Sequence, residues 1–272
     1  MAALRLLLIV LLLAGCAAGP PAPPATAMAP ELARVLARGV PLDEGYRALF
    51  DQCDREDRFG GVRLPVLGRE GQTHEGCRND PNRVRFLLRL PEGAIAFESK
   101  LAVDVNGGLL SCTRPRPGDL CATALQPGRQ PLDADTVPWV VIPYNGPPAD
   151  PARPGVNLST EFMQRTGLRL GDVGVVVLGT RVVPVIVGNG GPFNKLGEGS
   201  LALHRALGHE QCGALTAAGR CGRLAPWFGS LPGGAVTILF PGSAPPGLAP
   251  GNVAALTAQR VAPLWNALLA PR

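Results

Sequence analysis

The sequence reads as a mainly β domain with peripheral helices, tied by disulfides, and three observations predict this. Glycine (35) and proline (29) are frequent among 272 residues without a collagen period, which favours short strands and many turns over long helices. Short runs of Val, Ile and Leu are bounded by Gly, Pro, Asn or Asp, as strands are. Cys53, Cys77, Cys112, Cys121, Cys212 and Cys221 fall into three local couples. A hydrophobic share of 46% is enough for a sizeable core, and 17% charged residues exclude a disordered polyelectrolyte. No heptads run through the chain, which excludes a coiled coil.

The N-terminus is an address. Arg5 precedes the apolar residues 6–13, and Leu13-Ala14-Gly15-Cys16 follows. This run is too short to span a membrane and has the size of a signal-peptide core. Leu-Ala-Gly-Cys resembles the bacterial lipobox, which is cleaved before a cysteine that receives lipid. Residues 1–15 are expected to be a lipoprotein signal peptide, with Cys16 lipidated. Residues 16–29 are Pro-rich and read as a tether. By family analogy, Ala17 in place of aspartate permits outer-membrane sorting. The expected location is the bacterial cell envelope, at its periplasmic face or the cell surface.

Such a compartment is oxidising. Six cysteines allow fifteen pairings, yet the local couples predict Cys53–Cys77, Cys112–Cys121 and Cys212–Cys221. Each closes a loop of roughly 10–25 residues and contributes about 2–4 kcal/mol. The rival reading is a metal site from His204, His209, Glu210, Cys212 and Cys221. It lacks the Cys-x-x-Cys or His-Glu-x-x-His spacing, so disulfides are preferred and neither metal nor cofactor is expected.

Residues 30–82 read as a helical and loop extension packed on the main domain, which spans 83–272. Helices are expected over 30–38, with Pro30 in the first turn, and over 43–52. The polar, Gly-rich residues 53–82 read as a disulfide-tied loop. Strands are expected over 84–88, 94–97, 100–105, 139–143, 173–178, 181–187 and 235–240. Leu178-Gly179-Thr180-Arg181 joins two Val-rich runs as a hairpin. Residues 200–207 have an apolar helical rhythm ended by Gly208. A C-terminal helix over 253–269 is expected, capped by Asn252 and perturbed at Pro263. No internal repeat is visible.

The chemistry is expected where turns interrupt strands. Most informative is Gly188-Asn189-Gly190-Gly191-Pro192-Phe193-Asn194-Lys195-Leu196-Gly197-Glu198-Gly199-Ser200. A Val-rich strand is expected to end there in a loop too Gly-rich for packing alone. Glycines allow close backbone approach to a ligand, and Glu198 stands just before a helix. The bland reading is that Glu198 merely complements the helix start, worth under about 1 kcal/mol.

This segment resembles the active-site region of glycoside hydrolase family 75, the chitosanase group. There a strand ends in Gly/Ala-Asp-x-Gly-Pro and Gly-Glu-Gly/Ala-Ser follows. Ile95 through Gly107 is similar to that family's Lys-Met-x-x-Asp-x-Asp-Gly strand, and Pro138-Trp139-Val140-Val141-Ile142-Pro143 to its Pro-Tyr/Phe-Val-Val-x-Pro. Leu170-Gly171-Asp172 and Phe240-Pro241-Gly242-Ser243 extend the likeness over about residues 90–270. The resemblance implies a double-psi-like β-barrel acting on a β-1,4-linked amino-sugar polysaccharide. It makes Glu198 the general acid and implies substrate contacts from Asp104, Lys100, Gly191 and Pro192. The family's second catalytic position, an aspartate, is Asn189 here, and a further family aspartate is Asn106. An amide cannot take a proton at neutral pH, so it cannot activate water. Asp104, Glu161 and Asp172 are the candidates for a substitute base. A calcium loop at Asp104 is disfavoured, because Pro115 stands where a bidentate Glu belongs.

The same turn is similar to the double-psi β-barrel of rare lipoprotein A, where an Asp-Arg-Gly-Pro turn precedes a helix like 202–208. That likeness implies lytic cleavage of peptidoglycan, which needs no water-activating base. A third reading is a glycan-binding pseudoenzyme that lost turnover at Asn189. The net charge is +5, and every basic residue except Lys100 and Lys195 is arginine. That sign disfavours polycationic chitosan against neutral or anionic glycans. Nucleic acid is discounted, because aromatics are 5% and no binding motif appears. The expected partners are a polysaccharide and, through the lipid, a membrane, with the protein itself a monomer.

Overall fold

The computed structural model describes residues 30–64, 76–116 and 118–271. The signal peptide, the Cys16 lipid site and the tether lie outside the described residues. In chain order the elements are α1 (Pro30–Ala37), β1 (Val40–Pro41), α2 (Glu44–Glu56), β2 (Arg58–Phe59), β3 (Val62–Arg63), β4 (Phe86–Arg89) and β5 (Ile95–Asp104). Next come α3 (Leu109–Thr113), β6 (Trp139–Asn145), α4 (Glu161–Thr166), β7 (Val173–Leu178), β8 (Arg181–Pro192) and β9 (Glu198–Ser200). The chain ends with α5 (Leu201–Ala206), β10 (Cys212–Leu215), β11 (Cys221–Leu224), β12 (Leu231–Phe240) and α6 (Val253–Leu269).

The main sheet runs β1-β4-β5-β12-β7-β8-β6-β9, and β9 also pairs with β5. That last pairing closes β5, β12, β7, β8, β6 and β9 into a six-stranded barrel. Most neighbours are antiparallel, but β6–β8 and β5–β9 are parallel. Three-residue β9 is the closing stave: it pairs Ala102 with Glu198 on one side and Val140 with Gly199 on the other. Alternation along the strands divides the apolar side chains between two cores. Val176, Val185 and Val187 belong to one, with Tyr46 and Phe50 of α2. Val175, Val177 and Ile186 belong to the other, with Leu32 of α1 and Val261 of α6. In the first, Phe59 meets Phe50 and Phe193 edge-to-face at 5.1 and 5.4 Å.

Local rules explain the element ends. The Asp43 carboxylate accepts from the Tyr46 amide at 2.9 Å and caps α2, and Asp57 ends it in the left-handed region. Leu178 pairs with Arg181 across a two-residue turn, as the hairpin reading requires. Disulfides join Cys53 to Cys77, Cys112 to Cys121 and Cys212 to Cys221.

Three expectations differ from the structure. The stretch expected as a loop after Cys53 contains the β2–β3 hairpin. The two strands expected over 94–105 are one, because the polar break at Glu98-Ser99-Lys100 is satisfied in place. Glu98 pairs with Arg85 at 2.9 Å, the Ser99 hydroxyl donates to the Lys100 carbonyl at 2.8 Å, and Lys100 pairs with Asp80. Asn252 precedes α6 but turns its side chain back, accepting from the Ala249 amide and donating to the Gly247 carbonyl. The helix itself has its expected range, Val253–Leu269, with Pro263 inside it.

Candidate active site

The Gly-rich segment is a strand for longer than its composition suggests. β8 runs through Asn189 to Pro192, because β6 supplies a parallel partner that pairs Val141 with Asn189 and Pro143 with Gly191. The glycines make room rather than flexibility. A Cβ on Gly188 would lie 2.7 Å from that of Trp139, and one on Gly190 would lie 2.7 Å from that of Tyr144. Gly197 is different. Its φ of +82° is left-handed, and a Cβ there would fall 2.0 Å from the Lys100 carbonyl oxygen. This close crossing lets β9 lie parallel to β5.

Three side chains converge as a result. Asp104 ends β5, Asn189 sits on β8, and Glu198 begins β9 two positions before Ser200, the residue paired with Asp104. The Asn189 amide donates from Nδ2 to Asp104 Oδ2 at 2.8 Å, while its Oδ1 accepts from the Ala124 amide at 2.9 Å. The Asn106 amide donates to Asp104 Oδ1 at 2.8 Å. Burial, reinforced by the Glu198 charge, pushes the Asp104 carboxyl up to about 7, although the Asn106 and Asn189 donors oppose the shift. A Cβ on Gly191 would lie 3.7 Å from Glu198 Oε2, so that glycine flanks the same carboxylate. Ser200 then caps α5, accepting from the Leu203 amide at 3.2 Å.

Other expected residues fall elsewhere or do other work. Lys100 is fully buried, and its ammonium meets Asp80, which also has Lys195 Nζ at 3.5 Å. Lys100 is therefore a structural cation, contrary to the substrate contact expected of it. Pro192 ends β8 opposite Asn145. Glu161 pairs with Arg153 at 2.7 Å and Arg165 at 2.9 Å. Asp172 accepts from the Arg169 and Ser243 amides at 2.8 and 2.9 Å. Of the three candidate bases, only Asp104 joins Glu198. In the rival metal cluster, Cys212 and Cys221 are bonded to each other, and His204 Nε2 lies 3.1 Å from the Ala102 carbonyl. Burial lowers His204 to about 4, so it is neutral at physiological pH.

Sequence reasoning named Asp104 as a substrate contact and as one of three candidate bases, and overlooked Asp119, whose charge acts on the Asp104 carboxyl. The Asp-x-Asn-Gly string at the end of β5 was the available signal. The strand crossing that delivers Glu198 to it was not. No protein-family model matches the chain, and a search of curated proteins gave no match. Chemically, the site offers one carboxyl that keeps its proton near neutral pH, a second carboxylate beside it, and an amide that fixes the first.

Proposed function

We propose that the chain is an envelope enzyme that cleaves a β-1,4-linked amino-sugar polysaccharide, with Asp104 and Glu198 as its acid–base pair. The observation that carries this reading is the Asp104 carboxyl, part-buried at the end of β5, held by the Asn106 and Asn189 donors beside Glu198, and poised near 7. Glycoside cleavage calls for one carboxyl that donates a proton and one carboxylate that accepts, and environments that push two groups apart assign those roles. Burial favours the proton on Asp104, so Asp104 protonates the glycosidic oxygen as the bond to the anomeric carbon breaks. Glu198 stabilises the developing positive charge and takes the proton from the incoming water. This exchanges the role expected of Glu198 and removes the need for a carboxylate at position 189. Asn189 is a positioning residue, held by Ala124 and holding Asp104.

The family 75 resemblance and a double-psi arrangement belong to the same proposal. Their support is the ordered motif string and a closed barrel that interleaves parallel and antiparallel pairs. Lipid anchoring rests on the Leu13–Cys16 motif, and release of Cys16→Ser protein from the membrane fraction tests it.

Asp104→Asn and Glu198→Gln should each lower cleavage by about 10²–10⁴-fold. Assays on chitin oligomers, chitosan and peptidoglycan strands measure this. Wild-type activity should fall as pH rises through about 7, where Asp104 loses its proton. Wild-type protein that binds these glycans but cuts none of them would replace the enzyme with a binding module.

A further inference from the structure

The two disulfide loops whose cysteines lie nine residues apart face one another across a hollow. Cys112–Cys121 closes α3 and the loop after it, and Cys212–Cys221 closes the β10–β11 hairpin. Between them lies a cavity of about 220 Å³ lined by Arg114, Arg116, Asp119 and Arg223, with Leu110 and Leu224 as apolar wall. Asp119 is satisfied by Arg116, whose Nε and Nη2 donate to it at 2.9 and 3.2 Å. The Arg116 guanidinium also lies 4.7 Å over the Phe228 ring, which fixes its plane. Arg114 and Arg223 are exposed, and their side chains have no hydrogen-bond or ion-pair partner among the described residues. Three arginines against one carboxylate leave the hollow with an excess of positive charge.

This hollow is wired to the carboxylate pair. Asn106 donates its amide to Asp104 at 2.8 Å and accepts the Leu120 amide on its Oδ1 at 2.6 Å. The neighbouring Asp119 is close enough for its charge to act on the Asp104 carboxyl. The loop that carries Arg114 and Arg116 therefore hangs from the end of β5, where Asp104 stands.

We infer that the arginine hollow binds a carboxylate-bearing sugar of the chain held at Asp104 and Glu198, so that the substrate is an acidic polysaccharide rather than polycationic chitosan. This rests on the proposed glycan cleavage. Guanidinium groups present a planar fork of donors that matches a carboxylate, and they stay charged at any physiological pH. Two disulfides hold the backbone of both walls, so the ordering left for the anion to impose is that of the arginine side chains. The chain's net charge of +5 favours the same class of substrate at longer range.

Equilibrium binding of the full mature chain tests this with three probes. These are peptide-free peptidoglycan strands bearing free carboxylates, the same strands with those carboxylates amidated, and neutral chitin oligomers. Wild-type protein should bind the acidic strands about tenfold or more tightly than the amidated ones. Arg114→Gln with Arg223→Gln should erase that ratio, with chitin-oligomer binding changed by less than about twofold, since only the charge-assisted bonds are lost. An unchanged ratio in the double variant, or no acid preference in wild type, overturns the subsite. If the preference fails while Glu198→Gln still abolishes cleavage of neutral oligomers, the subsite alone is wrong. If none of the three probes binds, the subsite and the glycan reading fall together.

Discussion

Two part-buried carboxyls served by the same strand are pushed in opposite directions. Asp80 lies against the Lys100 ammonium of β5, with Lys195 Nζ at 3.5 Å and the Ser230 hydroxyl at 3.2 Å. Burial acts to raise this carboxyl, but the two lysines outweigh it and hold it below its ordinary value. Asp104, further along β5, forms no ion pair with a cation among the described residues. Its burial and the Glu198 charge win over two amide donors, and the carboxyl rises to about 7. Burial of a carboxyl is therefore a poor mark of function by itself. The sign of the nearest charge decides: a compensated carboxyl is a clasp, and one facing a second carboxylate is a reagent.

The clasp should show the larger effect on stability. Lys100→Met leaves Asp80 with Lys195 and its partial solvent exposure, so the expected loss is about 2–4 kcal/mol, near the lower end for breaking a buried pair. Denaturant unfolding measures it, and cleavage per folded molecule should be unchanged. Lost cleavage at full stability would place Lys100 in the site and dissolve the contrast. Asp104→Asn should act with the opposite sign. The unfolded carboxyl releases its proton near 3.8 and the folded one near 7, so the native carboxyl lowers stability progressively between those values and fully above them. The variant should gain on the order of 1–3 kcal/mol at pH 8 and almost nothing at pH 3. A variant less stable than wild type at pH 8 would mean that Asp104 is a clasp too.

How much of this was legible depended on how local the cause was. β7 and α6 coincide with their expected ranges, since a Val-rich run between turn residues and a long apolar rhythm are local signals. The cysteine couples were visible as neighbours in sequence. β9 was not, because three residues carry no periodicity and owe their conformation to β5 and β6 on either side. The glycines of β8 suggested a loop, but their reason is the bulk of Trp139 and Tyr144 on a strand far away in sequence. Glu198 was found through its motif. Asp104 was one of three candidate partners, and sequence could not choose among them, because the meeting depends on the parallel register that sets Ala102 opposite Glu198. The two lysines were a missed signal. In a chain whose other basic residues are all arginine, both serve the same part-buried aspartate.

Asn189→Asp gives the smallest stability effect and the sharpest test of which residue the site is built around. The family resemblance makes this change a repair, restoring a carboxylate that activates water. The hydrogen bonds argue otherwise. Nδ2 of Asn189 donates to Asp104, and Oδ1 is already occupied by the Ala124 amide. An aspartate at 189 can keep the Ala124 bond with one oxygen, but its other oxygen then meets Asp104 Oδ2, and the two can coexist only by sharing a proton. That raises the folded affinity for the proton, so the cost is small at low pH and grows as pH rises. The expected loss is about 1–2 kcal/mol at pH 8, from one missing hydrogen bond to a carboxylate and one added repulsion. Cleavage should not exceed that of wild type, and its alkaline limb should move to higher pH. A pH–rate profile with unfolding at pH 5 and pH 8 measures both. Cleavage raised by orders of magnitude would show that position 189 is the seat of the base, and that Asp104 is only its neighbour.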